Sequence, residues 1–371
     1  MGIERLAWCE ISKEVIASNI KKIQEFVGPE VAVMAVIKAN AYGHGAVEVA
    51  KVVESSGVGY LGVSSFFEAR ELRNSGIKLP IVILGFTPTK NYYDMVENDI
   101  TTTVRSLDVV RALVTAAKRL DKTAKVWIKV DTGLHRLGLN PGEVLFFVRK
   151  MQDLPNLEIE GIFTHFADAD NIDLEFTRKQ LEMFKKLLVE LSEEGINIPI
   201  KSAANTAGIF SLPDSHLDMI RPGLGLYGFS SAKNNKIDLI PALSFKTEIV
   251  QITEIEKGET VGYGRTFKAS KPTRVATIAV GYGDGFRRAP KNWGEVLIAG
   301  QKAPLIGRVS MDQAACDITD LTGDIRRGNE VVLIGKSGNL EITAEDVADR
   351  LGTNVYEVLT GITARVTRIY V

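Results

Sequence analysis

The sequence predicts an α/β fold, an N-terminal (β/α)8 barrel of the TIM type followed by a mainly β C-terminal domain. Three observations carry that prediction. Short Val/Ile-rich runs alternate with helical patterns from residue 12 to about 225. Eight such βα repeats fit into roughly 215 residues, the spacing of a closed barrel. Beyond about residue 235 the helical patterns nearly vanish, and short strands follow one another with turn residues between. The competing arrangement, a doubly wound open sheet, predicts a GxGxxG after the first strand, and none is present.

Barrel strands are expected at 31–37, 59–63, 80–84, 100–104, 125–130, 158–163, 199–203 and 217–220, with helices such as Phe66 to Asn74, Leu107 to Leu120 and Leu174 to Glu194 between them. In the second part, strands are expected at Leu243 to Thr253, Val275 to Val280, Glu295 to Ile298, Glu330 to Ile334 and Ala364 to Tyr370. One helix is expected there, Ala344 to Leu351, with Thr343 as N-cap and Asp346 completing a capping box. The residues 289–292 read as an exposed loop. The domains are therefore drawn at 10–235 and 236–371, with residues 1–9 a candidate addition to the second.

A chain of 371 residues suits two domains, and 45% hydrophobic with 25% charged residues is ordinary for a globular protein. A net charge of −1 offers no electrostatic case for nucleic acid or a membrane surface. Cys9 and Cys316 form neither a disulfide framework nor a metal spacing, and read as small buried residues. The start, MGIERLAWCE, lacks a signal-peptide core, and Leu6 breaks the Gly2 myristoylation pattern. No run approaches the eighteen or so apolar residues of a membrane span. The expectation is a soluble cytoplasmic protein.

The chemistry is organised around AVIKANAYGHG, residues 35 to 45. An apolar run ends abruptly in Lys38, at the carboxyl end of a strand where barrel enzymes place their ligands. A desolvated lysine there has a lowered pKa and acts as an amine nucleophile. Taken alone, a strand-end lysine more often marks where a strand meets water. The motif as a whole resembles the cofactor-lysine motif of the alanine racemase family, which uses pyridoxal 5′-phosphate (PLP). KVDTGLHRLG (129–138), FTHFAD (163–168), AANTA (203–207), IRPGLGLYG (220–228), VGYGRTF (261–267), VGYGDGF (280–286) and GRVSMDQ (307–313) resemble the same family, and their joint order is highly specific.

The resemblance implies a barrel plus β domain, PLP as cofactor and a small amino acid as substrate. It implies that Lys38 carries the cofactor, that Arg221 donates to the pyridine nitrogen and that His165 stands beside the ring. Arginine has donors only, so the ring nitrogen stays unprotonated and the cofactor is a weaker electron sink than one paired with a carboxylate. Phosphate donors would be Tyr42, Asn205, Thr206 and the backbone of Gly223 and Leu224; a bare sequence reading of those glycines is ordinary turn geometry. Racemisation exchanges protons on two faces of a planar centre, so two bases are needed. The family uses the lysine, here Lys38, and a tyrosine from the other subunit, here Tyr263, which implies an active homodimer. Arg136 and the N–H of Met311 would hold the substrate carboxylate, with Asp312 and Tyr282 lining the entrance. Lys129 matches a lysine that can be carbamylated.

Two positions depart from the pattern. Ser202 stands where the family often has histidine, with Thr206 in place of serine. Ala364 stands where the family usually has a tyrosine that contacts phosphate and crowds the substrate, which implies a pocket open to serine as well as alanine. The competing functions are a PLP-dependent decarboxylase, against which Arg221 speaks, a non-catalytic PLP-binding barrel, which lacks the β domain, and a barrel enzyme for another phosphate.

Overall fold

The computed structural model describes residues 5–232 and 237–371. It divides into two compact units, one of Glu14–Ala41 and Ala46–Pro241, the other of the segment ending at Lys13, Tyr42–Gly45 and Ala242–Val371.

Strand β1 (Ala7–Ile11) belongs to the second unit. The first unit contains β2 (Ala32–Val36), β3 (Tyr60–Val63), β4 (Ile81–Ile83), β5 (Ile100–Val104), β6 (Ala124–Lys129), β7 (Leu157–Phe163), β8 (Ile200–Ser202) and β9 (Met219–Ile220). Strands β2 to β8 pair in parallel, each with the next, and β9 pairs in parallel with β2. Donation from Arg221 N–H to Ala204 O at 3.0 Å and the Asn205–Arg221 bridge join β8 to β9, so the sheet comes round to a nearly closed barrel. The expected helices form at Phe66–Asn74, Leu107–Leu120 and Glu175–Glu193. Strands such as Ile81–Ile83 and the stretch 33–36 of β2 are apolar throughout because both of their faces are buried.

The barrel interior packs Met34, Val82, Trp127, Phe163 and Met219 into one cluster. Trp127 is fully buried, and its indole N–H donates to Glu160 Oε2 at 2.8 Å. Room for the indole comes from Gly161 on the neighbouring strand: a Cβ there would lie 2.6 Å from the ring. Gly161→Ala is therefore expected to lower stability by about 2 kcal/mol through overpacking, read as the shift in denaturant midpoint. Gly142→Ala is the control, because a Cβ there meets nothing within 4 Å and the position is helical.

The second unit is a sheet built on β10 (Leu243–Ile255), whose burial alternates residue by residue along its first half. Strands β11 (Thr260–Val261) and β12 (Phe267–Lys268) pair with each other in a separate two-stranded sheet, and the larger sheet continues with β13 (Thr273–Ile278), β14 (Glu295–Ile298), β15 (Gln301–Ile306), β16 (Ala314–Asp317), β17 (Glu330–Ser337), β18 (Leu340–Ile342) and β19 (Thr367–Tyr370). Because β17 returns to pair with β10, the strands β10, β13, β16, β15, β14 and β17 close a ring, and β1 lies between β10 and β19. The helix Ala344–Leu351 forms with the expected capping box, Thr343 Oγ1 accepting from Asp346 N–H at 3.0 Å. A second helix, Val355–Thr360, was not expected. The last strand begins at Thr367 rather than Ala364, because Val366 N–H closes a turn onto Thr363 O at 3.2 Å. Cys9 and Cys316 are both buried, and burial pushes the Cys9 thiol up to about 12, which leaves it inert. No helix among the described residues is long and apolar enough to cross a membrane.

Candidate active site

Lys38 stands two residues beyond β2, half-buried at the carboxyl end of the barrel. The backbone after it is unusual. Ala39, Asn40 and Ala41 have φ/ψ of 53/51°, 54/47° and 53/49°, and Tyr42 has φ 52°. Successive L-residues thus form a turn of left-handed helix, a conformation that costs roughly 1–2 kcal/mol per residue. Local hydrogen bonds hold it: Ala41 N–H donates to Ile37 O at 2.9 Å, Ala46 N–H to Asn40 Oδ1 at 2.8 Å, and Ala39 N–H to Glu68 Oε1 at 2.7 Å. Burial and the Arg136 charge pull the Lys38 ammonium below its ordinary pKa, while Glu68 opposes them.

The neighbouring strand ends supply more positive charge. Lys129 ends β6, His165 follows β7 by two residues, and Arg221 directly follows β9. Burial, then Arg136 and Arg221, bring Lys129 down to about 8. His165 is driven well below its ordinary value, first by burial and then by Arg221, Lys129, Arg136 and Lys38, so it is neutral. Arg221 is 3% exposed, and burial pulls it down to about 9, still a cation at neutral pH. Its Nη1 donates to Ser202 Oγ, and its Nη2 to Thr164 O at 2.6 Å and Ala203 O at 3.1 Å. Its Nη2 also lies 3.4 Å from His165 Nδ1. A guanidinium only donates, so Nδ1 is the acceptor and the imidazole proton sits on Nε2. Among the described residues no carboxylate pairs with Arg221 and its Nε–H has no acceptor. Ser202, the first departure, thus serves as a partner of Arg221.

Asn205 caps the short helix Thr206–Ser211, its Oδ1 accepting from Gly208 N–H at 2.9 Å. Thr206 Oγ1 accepts from the N–H of Gly223 at 2.9 Å and of Gly225 at 3.3 Å. The hydroxyl proton of Thr206 is left to donate, beside the N–H of Leu224 at the first position of a 3-10 turn.

The remaining expected residues lie in the second unit. The Tyr42–Gly45 segment is held there by Arg368 Nε, which donates to Gly43 O at 3.0 Å. Tyr282 N–H donates to Ser310 O at 3.0 Å and Gly283 N–H to Met311 O at 2.9 Å, so the loops carrying Tyr282, Met311 and Asp312 run side by side. Between them lies Asp284, fully buried and clasped by two arginines: Arg5 Nε and Nη2 at 2.7 Å each, and Arg365 Nε at 2.7 Å. Arg365 also reaches Asp312 at 2.6 Å. Tyr263, Met311 and Tyr282 are 68%, 52% and 40% exposed. The Arg288 guanidinium lies 6.0 Å from the Tyr263 ring.

Sequence reasoning missed Glu68, Asp284, Arg288 and Arg365. Asp284 lay inside a motif already singled out, and Ser65 to Glu68 is a legible capping-box spacing. The left-handed turn has one local signal, Asn40, since Asn tolerates that conformation and Ala and Tyr do not.

Comparison with known proteins decides the family. The alanine racemase N-terminal domain matches residues 11–231 and the C-terminal domain residues 242–370. The chain belongs to the alanine racemase family. An alanine racemase of Methanococcus maripaludis is 42% identical over 367 residues, 98% of each chain. The alanine racemase structure of Clostridium difficile 630 superposes with TM-score 0.96 at 39% identity, covering 100% of this chain and 97% of that one. That of Bacillus anthracis with bound L-Ala-P gives 0.94 at 34% identity, covering 100% and 96%. Membership makes the chain an isomerase of the racemase class, in a family that depends on PLP, and the decarboxylase and non-catalytic readings are not favoured.

Proposed function

We propose that this chain interconverts L- and D-alanine with PLP, exchanging the α-proton at Lys38 on one face and at Tyr263 of the partner subunit on the other. The observation that carries the reading is Arg221: a buried cation with no carboxylate partner among the described residues, whose Nε–H lacks an acceptor there. That donor set fits a pyridine nitrogen. When bound, PLP supplies an electron-withdrawing ring that acidifies the α-proton of an attached amino acid.

The chain's own residues do the rest. Lys38 would hold the cofactor through its amine, and burial with Arg136 favours the neutral form it needs to accept a proton. Arg221 can only donate, so beside a bound pyridine ring it would leave the ring nitrogen unprotonated, which would favour prompt return of a proton over side reactions. Neutral His165 stands beside it without adding charge. Thr206, Asn205, Tyr42 and the Leu224 N–H would bind the phosphate, joined by the Gly223 N–H once that group leaves Thr206 Oγ1. Arg136 and the Met311 N–H would hold the substrate carboxylate, and Asp312 and Tyr282 would line the entrance. Lys129, with its pKa near 8, is a nucleophilic amine suited to carbamylation and to orienting Arg136. Tyr263, Met311 and Tyr282 expose large side chains on one unit, which supports a homodimer that covers them.

The test is a chiral panel. Protein with PLP is incubated with L-alanine, L-serine and larger L-amino acids, and the D-enantiomers are quantified. Alanine is expected to turn over fastest, and Lys38→Ala to lose about four orders of magnitude in rate. Failure to racemise any amino acid with PLP bound would sink the proposal. The serine arm, run beside Ala364→Tyr, tests the expectation attached to that residue: an unchanged serine-to-alanine ratio removes it from the specificity argument.

A further inference from the structure

The left-handed turn after Lys38 is tied at its first residue by a side chain that the mechanism above leaves without a role. Glu68 is the third residue of the helix Phe66–Asn74 and is half-buried. Its Oε1 accepts from Ala39 N–H at 2.7 Å, and its Oε2 accepts from Ser64 N–H at 2.7 Å and Ser65 N–H at 3.2 Å. A capping box needs only the bond to Ser65. The other two make the carboxylate a bridge between the carboxyl ends of neighbouring strands, β2 with Lys38 and β3.

We propose that Glu68 is a positioning residue for Lys38, holding the start of the left-handed turn and so the direction in which the lysine leaves its strand. The inference rests on Lys38 being the cofactor lysine of the proposed function. An alanine at Ala39 prefers right-handed φ/ψ, and its relaxation would redirect the chain after Lys38 and displace Tyr42. A charged acceptor bonded to the Ala39 N–H at 2.7 Å opposes that relaxation. Glu68 is also the negative charge acting on Lys38, against Arg136.

Glu68→Gln separates this role from capping. Glutamine keeps the length but offers one acceptor oxygen, so it satisfies an N–H at one strand end and turns a donor toward the other. Ser65→Ala is the comparison: it removes the hydroxyl that accepts from Glu68 N–H at 3.4 Å and leaves the carboxylate in place. Ser65→Ala is expected to lower Tm while leaving kcat and KM unchanged. Glu68→Gln is expected to lower kcat about tenfold with KM held within about twofold. The Lys38 titration midpoint in the apoprotein, followed by 13C NMR of reductively methylated lysines and assigned with Lys38→Ala, is expected to fall, because a favourable negative charge is lost. Adding Ala39→Gly to Glu68→Gln is expected to restore kcat toward the parent, since glycine adopts the left-handed conformation without strain, but not the Lys38 midpoint. A Glu68→Gln protein that loses only Tm, with kcat and the Lys38 midpoint at parent values, overturns the inference. So does a kcat deficit that Ala39→Gly leaves untouched. Turnover that survives in Lys38→Ala overturns the proposed function itself, and is distinguished by that control.

Discussion

An equimolar mixture of Lys38→Ala and Tyr263→Phe subunits, exchanged and reassembled, is expected to recover about a quarter of the parent activity from two preparations that are each nearly inactive. If Tyr263 serves the partner's site, every site in either variant homodimer lacks one base. A mixed dimer has one site missing both bases and one site with both. Half of the dimers in a random mixture are mixed, and half of their sites are intact. The expectation rests on the exposure of Tyr263, which is 68% accessible on a tight Gly-Tyr-Gly turn whose flanking glycines have φ of 75° and 74°. Such a ring, left uncovered by its own unit, is suited to reach across an interface. Racemase assays of the mixture, with mixed dimers counted by native mass spectrometry, check it. No recovery when mixed dimers are present would return Tyr263 to its own subunit or remove it from the reaction.

Asp284→Ala is expected to destabilise the β unit by about 3 kcal/mol, measured by denaturant unfolding, and to loosen the loops that carry Tyr282 and Met311. Asp284 is fully buried, and its loss leaves Arg5 and Arg365 with only the more exposed Asp312 as a shared counter-charge. The pH dependence has a definite sign. Burial by itself would raise the Asp284 pKa, but hydrogen bonds from Arg5, Arg365 and the Gly281 N–H outweigh it, so the folded value lies below the ordinary one. Its contribution is therefore present above the unfolded pKa, about 3.9, and is lost as pH falls through the folded value. The stability difference between the parent and Asp284→Asn should be full at neutral pH and shrink in acid below about pH 4. A difference that stays constant down to pH 2 would show that the carboxylate's charge is not what holds the loops.

The elements readable from the chain alone share one property: their signal is local. Val/Ile runs mark the barrel strands because parallel strands bury both faces, and the helices at Phe66–Asn74 and Leu107–Leu120 carry their own periodicity and caps. The strand-end positions of Lys38, His165 and Arg221 followed from those runs, and the family from motif order. Features with no local signal were decided by the tertiary structure. Strand β1 finds partners at β10 and β19, far along the chain, and β15 carries Pro304, which argues against a strand until its antiparallel neighbours are known. Asp284 is clasped by residues 279 positions before it and 81 after it. The left-handed turn at Ala39 to Tyr42 contradicts local preference outright, and persists because Glu68, which only the folded barrel brings within reach, adds an acceptor to the local ones of Asn40 and Ile37. Sequence alone determined which residue types stand at the ends of which strands, because periodicity is written in neighbours. The folded chain decided how Lys38 is aimed and which buried charges are compensated, because those depend on contacts between residues distant in sequence, whose energies outweigh the local cost.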